Sequence, residues 1–200
     1  MNISSGQVIS FFIGALFWTL MEYILHRFLG HSRSRLGGFT QEHREHHREG
    51  DYFMPLSKKA LITLTVTSSL ALISSFVLNM SLGLSFTAGF TLFFINYEIH
   101  HKRAHSHAPL NAYGRWLRRH HFSHHFAAPR QNFGVTTPLW DLIFGTYTVI
   151  PTIRIPTKKA MVWLIDQETR EILPQYANDY QYRTSMTSQK NLKTQRSGHE

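Results

Sequence analysis

The chain contains no cysteine. Disulfide frameworks, thiolate zinc sites, cysteine-ligated iron–sulfur clusters and cysteine nucleophiles are therefore excluded. Charge is sparse, at 16% of residues, and no lysine or arginine precedes position 26. The first apolar stretch thus lacks the basic region of a secretory signal, and it carries no small-residue cleavage site either. Aromatic residues are plentiful: 15 Phe, 8 Tyr and 4 Trp among 200 residues exclude a wholly disordered chain.

The missing charge is concentrated in three runs. Val8 to Leu25 is 18 residues with Glu22 as its one ionisable group, Ala60 to Leu78 is 19 residues with none, and Leu82 to Ile99 carries only Glu98. At 1.5 Å per residue each spans roughly 27–29 Å, the thickness of a bilayer's hydrocarbon core. Three such runs in one small chain predict membrane helices at about 8–25, 60–78 and 82–99, with a tight turn over Asn79–Gly83. Residues 26–59 hold seven Lys/Arg, residues 100–160 hold nine and the remainder five. A single three-pass topology puts all 21 on one face, which the positive-inside rule makes cytoplasmic, in a bacterial inner membrane or an endoplasmic reticulum membrane. The pI near 10.0 is then a topology and headgroup signal rather than a nucleic-acid patch. The run Arg115–Arg119 is expected at lipid headgroups.

That topology returns two distant groups of histidines to one membrane face. Thirteen of the 14 His lie between positions 26 and 125. They form His26-Arg-Phe-Leu-Gly-His31, His43-Arg-Glu-His46-His47, His101-Lys-Arg-Ala-His105 and His121-Phe-Ser-His124-His125. A spacing of five sets His26 and His31 about 140° apart on a regular helix. Gly30 is expected to stop the helix and let His31 turn back. Spacings of three and four place His43, His46 and His47 on one face, with His121, His124 and His125 repeating the pattern. Spacing alone also allows His100 with His107, or His120 with His124. His199 falls in a polar tail.

Imidazole suits iron, zinc, copper and nickel. Ten rings exceed one ion's capacity and fit two ions at roughly four to six ligands each, with positions left open. Neutral imidazoles leave the ionic charge uncompensated, so a hydroxide or carboxylate between the ions is expected. A metal transporter places its ligands near mid-bilayer, whereas these gather at helix ends, and an electron carrier with two axial histidines per haem needs fewer. These are the alternatives of another class.

Together the four boxes resemble the fatty acid hydroxylase/sterol desaturase superfamily of membrane-bound, oxygen-activating enzymes. The resemblance also rests on Phe53-Met54-Pro55, on Asn96-Tyr97-Glu98-Ile99-His100-His101, and on Asn132 to Tyr147, which includes Trp140-Asp141 and Phe144-Gly145-Thr146-Tyr147. It covers roughly residues 10–150 and continues weakly through Trp163–Arg183. It implies an all-α, multi-pass membrane bundle with a cytosolic, histidine-rich helical cap holding a dinuclear site. It selects His101 over His100, and His121, His124 and His125 over His120. The ligand set it implies is His26, His31, His43, His46, His47, His101, His105, His121, His124 and His125, with no other catalytic residue. It also implies two iron ions, with zinc as an occupant of isolated protein, and O2 as co-substrate. No fused haem-binding cytochrome domain is legible, so electrons are expected from a separate reductase, ferredoxin or cytochrome b5-type donor. The implied reaction is monooxygenase-type hydroxylation, or desaturation, of an unactivated C–H bond in a fatty-acyl chain, sphingolipid or sterol. Carotenoid ring hydroxylases share the boxes but match the Asn132–Tyr147 segment less well. Glu98 stands where the family commonly has Asp.

Other residues fit around this reading. Glu22, Glu98 and Asp141 are candidates to accept the second N–H of ligand imidazoles. Phe11, Phe12, Phe17, Trp18, Phe90, Phe93 and Phe94 either line a lipid path or simply pack and face lipid, the second being the commoner role. Pro138–Tyr147 reads as an amphipathic stretch at the membrane surface. The expected division is a membrane-embedded unit over 1–150, with its cap at 26–59 and 100–150. A short extension follows over 151–183, with a hairpin from Ala160–Ile165 to Glu171–Leu173, and then a disordered tail at 184–200.

Overall fold

The computed structural model describes residues 3–32 and 37–183; the expected tail at 184–200, with His199, lies outside the described residues. Helix α1 spans Ser5–Ile24 and begins at a capping box, in which the Ser4 hydroxyl accepts from the Gln7 amide and the Gln7 side chain accepts from the Ser4 amide. It continues into a π-helical turn, Leu25–Gly30. Then come α2 (Gly38–Glu49), α3 (Leu56–Leu78), α4 (Met80–Ser106), α5 (Ala112–Phe126) and the short α6 (Leu139–Ile143).

Three helical stretches, Ser5–Gly30, Leu56–Leu78 and Met80–Ser106, are long and apolar enough to cross a membrane. Each outruns its apolar stretch because helical hydrogen bonding carries on into polar sequence; α4 runs through His101 and His105 before it ends. The turn expected over Asn79–Gly83 shrinks to one residue. Asn79 adopts φ 104° and ψ 162°, a strained conformation for any residue but glycine, and its Oδ1 accepts from the Leu82 amide at 3.1 Å.

Helices α1 and α4 run parallel. Ser10 Oγ donates to Leu82 O at 2.8 Å towards one end, and the Trp18 ring lies 4.8 Å from Phe94 towards the other. Glycine makes this contact possible. A Cβ on Gly14 would stand 1.9 Å from Phe86 O, and one on Gly89 would stand 1.9 Å from Phe11 O. Helix α3 returns antiparallel, its Ser74 hydroxyl donating to Gly83 O at 3.0 Å. The aromatic candidates fall mostly into this packing: Phe17, Trp18, Phe90 and Phe94 meet between α1 and α4, while Phe12 faces outward.

Beyond the spans, residues 150–183 share a core with α5. Ile153, Ile155, Leu164 and Tyr180 pack with Leu117 and Phe122. An antiparallel bridge joins Ile165 to Ile172 around the turn at Asp166–Glu171. The helical fold also carries a parallel two-stranded ribbon that the sequence did not suggest, β1 (Ile153–Ile155) with β2 (Tyr180–Tyr182). The arginines expected at headgroups hold this core instead. Arg115 and Arg119 both pair with Asp179, at 2.7 and 3.2 Å. Buried Arg118 donates to the carbonyls of Arg103 and His107, capping the end of α4.

Candidate metal centre

All ten histidines of the four boxes meet at one end of the three spans, in two groups of five. His26, His31, His43, His47 and His124 form one; His46, His101, His105, His121 and His125 form the other. Within each group one nitrogen per ring lies within 4.8 Å of the others. Both groups are imidazole alone. His100 stands apart against the Tyr113 ring, and His107 meets Ser106 at the exposed end of α4. His120 is buried outside both groups, its Nε2 3.3 Å from Asp141.

The HxxHH boxes do not present one face to one ion. Residues i and i+4 share a group and i+3 joins the other, because successive helical positions diverge by about 100°. Thus α2 gives His43 and His47 to the first group and His46 to the second. Helix α5 does the reverse, giving His121 and His125 to the second and His124 to the first. The turn Leu25–Gly30 with the residue after it adds the pair His26 and His31 to the first group, and α4 adds a pair to the second, so each group is two pairs plus one ring. His47 and His125, one from each group, stack at 4.0 Å with planes 5° apart.

The helix ends at Gly30, as expected, but the stop is not what makes His26 and His31 converge. The i→i+5 bonding of the π-helical turn widens the coil, which brings residues five apart towards one side. Gly30 has a second job that the sequence did not suggest. A Cβ there would lie 2.8 Å from His43 Cδ2, so glycine lets α2's ring enter the first group.

Backbone carbonyls orient the rings. His26 Nδ1 donates to Phe133 O at 2.5 Å, His46 Nδ1 to Tyr52 O at 2.9 Å and His124 Nδ1 to Gln131 O at 2.7 Å. A carbonyl only accepts, so each Nδ1 carries the proton and each Nε2 presents its lone pair to the group. Sequence reasoning missed these partners because every residue has a carbonyl. The three carboxylates proposed for the task sit elsewhere. Glu22 accepts from the amides of Val135 and Thr136, and Glu98 pairs with Lys59. Asp141 accepts from the amides of Phe133 and Gly134. Glu22 and Asp141 therefore act one step back, fixing the segment whose Phe133 carbonyl holds His26.

The residues fit a pair of metal ions. Imidazole nitrogens about 2.0–2.1 Å from a shared ion such as zinc lie roughly 3–4 Å from one another. The Nε2 pairs His31–His124, His43–His31, His46–His101 and His105–His121 lie 2.8–3.1 Å apart. The buried Nε2 atoms of His26, His47 and His125 have no hydrogen-bond partner. Burial also keeps the rings neutral. It pushes His46 down to about 4 and His47 to about 2, and it lowers His31, His43, His121, His124 and His125, with repulsion between neighbouring rings adding at most of them. A cleft of about 80 Å³, walled by Phe39, Tyr52, Phe53, Met54 and Tyr97, reaches His43, His46 and His101, with Lys59 and Glu98 among its lining residues.

Fold and site together define a membrane-spanning helical protein with two five-histidine clusters whose geometry suits metal binding. Residues 11–146 match the fatty acid hydroxylase family, and the chain belongs to it. It is 32% identical over 150 residues to the fatty acid 2-hydroxylase of Homo sapiens, an alignment covering 69% of this chain and 39% of that protein. It is 27% identical over 151 residues to the dihydroceramide fatty acyl 2-hydroxylase FAH1 of Arabidopsis thaliana, covering 74% of this chain and 62% of the relative. A solved structure of full-length scs7p, with only its hydroxylase domain visible, superposes with a TM-score of 0.56 at 26% identity, covering 74% of this chain and 58% of that one. The chain thus spans less than two thirds of the length of these relatives.

Proposed function

We propose that this chain hydroxylates the acyl chain of a membrane lipid, using O2 and electrons from a separate donor protein. The observation that carries the reading is the pair of five-imidazole groups at one end of the spans, beside the cleft that reaches rings of both. In this reading His26, His31, His43, His47 and His124 hold one iron, and His46, His101, His105, His121 and His125 the other. When bound, the iron pair supplies the redox chemistry that activates O2 toward an unactivated C–H bond, which zinc cannot do.

The chain's own residues position and exclude. The carbonyls of Phe133, Tyr52 and Gln131 hold three imidazoles in the tautomer that presents Nε2. Phe53 packs against His46, His101 and His105, keeping water from that side of the second group. The acyl chain enters along the cleft between α2, α3 and α4, where Phe39, Phe53, Met54 and Tyr97 offer an apolar wall. Lys59 and Glu98 hold its polar end near the leaflet boundary. The relatives are named as 2-hydroxylases. Carbon 2 of a fatty-acyl group, rather than a sterol or a carotenoid ring, is accordingly the favoured target. The histidine end faces the cytoplasm by the asymmetry of Lys and Arg. Residues 1–150 supply every ligand, and 151–183 brace them: Lys159 Nζ donates to His47 O at 2.9 Å and Trp163 Nε1 to Ala104 O at 2.9 Å.

The test is lipid analysis of a host expressing the wild-type chain beside His46→Ala, under 18O2, with iron measured on the purified protein. Two irons per chain and a lipid carrying one 18O only with the wild type are expected. Desaturated lipid without label, iron-free protein or a haem absorption band would each overturn the reading.

A further inference from the structure

We propose that the segment from Phe133 to Phe144 is sunk into the lipid leaflet on the histidine side, and that Glu22 and Asp141 are the internal acceptors that let its backbone lie there. The inference is independent of the reaction.

Depth comes from the partners on α1. Trp140 Nε1 donates to Thr19 Oγ1 at 2.9 Å, and the Phe144 ring stacks on Tyr23 at 5.2 Å. Thr19 precedes His26 by seven residues, or about 10 Å of helix, and lies well inside the apolar span. Helix α6 is therefore level with the last turns of a membrane helix, below the metal centre. Its outer side chains suit that place. Leu139, Leu142, Ile143 and Phe144 are 38–58% exposed, on a helix packed against α1, whose Phe12, Ile13 and Leu16 also face outward. The lipid-facing surface of α1 thus continues onto α6.

The backbone supplies an independent observation. In hydrocarbon every amide needs a partner within the protein. The four consecutive amides of Phe133, Gly134, Val135 and Thr136 all donate to two carboxylates, Asp141 taking the first two and Glu22 the others. Both carboxylates are buried, Asp141 at 0% and Glu22 at 4% exposure. A loop in water needs no such pair. The surface turn after Asp166 serves two of its amides from Asp166's own side chain. Gly134 is part of the device, since a Cβ there would meet Thr137 O at 2.2 Å. Costly intramembrane carboxylates acquire a purpose here: they stand in for the water that the bilayer removes.

The absence of cysteine makes a direct test possible in the full chain. Leu142→Cys and Ile143→Cys are reconstituted in phosphatidylcholine–phosphatidylglycerol vesicles, with Glu168→Cys as the aqueous reference and Leu16→Cys as the bilayer reference. A membrane-impermeant maleimide should label positions 142 and 143 at least about tenfold more slowly than 168, since a thiol in apolar surroundings stays protonated. A fluorophore attached at 142 or 143 before reconstitution should be quenched more by lipid nitroxides near the carbonyl than by nitroxides near the chain end, and the label at 16 the other way round. Labelling as fast as at 168 overturns the proposal. So does protection without nitroxide quenching, which would mean that protein rather than lipid covers the face. Neither readout depends on metal or turnover.

Discussion

His46, His101, His105, His121 and His125 stand on regular turns of α2, α4 and α5, and four of the five are buried. The other group takes His26 from the π-helical turn Leu25–Gly30 and His31 from the residue that follows it, and three of its five, His31, His43 and His47, are only partly buried. Equal numbers of identical ligands thus rest on unequal foundations. Regular helix sets the i,i+4 pairs of the second group in place wherever the helix forms. The first group needs a widened turn and a glycine to reach the same convergence, while backbone carbonyls orient rings in both groups. The number of imidazoles therefore says little about which group would hold a metal ion more firmly, and the scaffold beneath the rings says more.

The sharpest break removes a ring from the firmer group. Disturbing a partner one step behind a ligand costs about 10–100-fold in affinity or activity, so losing the ligand itself should cost at least about 100-fold. His121→Ala is expected to drop the metal content from two ions to one and the hydroxylated lipid by that factor. Metal analysis and product quantification on the same preparation check it. An intact metal ratio would show that the ring is packing rather than ligating.

Gly30→Ala aims at the weaker foundation without replacing any histidine. The added methyl carbon must displace the His43 ring, which it would approach to 2.8 Å. One ion should be lost from the first group, with product down about tenfold or more by the same outer-contact scale. Gly145→Ala is the control: its φ of 67° makes the substitution strained, by roughly 1–2 kcal/mol, but nothing lies within 4 Å of the new carbon. It should lower the melting temperature and leave two metals. Equal metal loss in both variants would make the effect one of stability, not of ring placement.

Acid sharpens the comparison through the apo-protein. Burial holds His46 at about 4 and His47 at about 2, against an ordinary 6.5. Between 6.5 and those values the unfolded chain binds protons that the folded one refuses, so stability falls as pH drops through that window and is unaffected above it. The loss should be on the order of 1 kcal/mol per pH unit for each such ring. Melting of the metal-free protein at pH 7.5, 6 and 5 measures it. A flat profile would mean that these imidazoles are not held neutral by burial. At neutral pH, metal uptake should release few protons, which calorimetry in buffers of differing ionisation enthalpy reports.

The histidine boxes were legible because HxxHH and HxxxH spacings carry their helical geometry with them. What spacing could not reveal was the split, since three rings on one helix read as one face until the rings of the other helices are placed around them. The convergence of His26 and His31 was legible only as a requirement: no residue from Leu25 to Gly30 announces an i→i+5 turn. Glu22 and Asp141 stood out as charges in apolar surroundings, but their targets are main-chain amides, which no residue type marks. The ribbon of β1 with β2 was illegible because two three-residue strands meet across a long connection and have no room for a pattern. The arginines at 115–119 misled because a basic run near a membrane has two ordinary uses. The acidic partner that decides between them, Asp179, lies 60 residues away.

The smallest expected effect lies at the membrane edge of the first group. Trp140→Phe removes the indole N–H that donates to Thr19 Oγ1 and keeps an aromatic ring beside Phe144. The Thr19 hydroxyl still donates to Leu16 O at 2.7 Å, so only one of its acceptor positions is left empty. The cost should be about 1 kcal/mol, the ordinary net value of one hydrogen bond, or a few degrees of melting temperature. The segment keeps the six hydrogen bonds that Glu22 and Asp141 receive from residues 133–136 and Thr146, so His26 stays in place and both metals remain. Asp141→Ala strips the two amides of Phe133 and Gly134 instead, at about 2–6 kcal/mol for two buried donors left bare. Thermal melting and metal content of the two variants, read together, separate an edge that is merely packed against α1 from one on which the first group depends. If Trp140→Phe cost metal as Asp141→Ala should, the anchor of His26 would lie at the α1 contact rather than in the carboxylates.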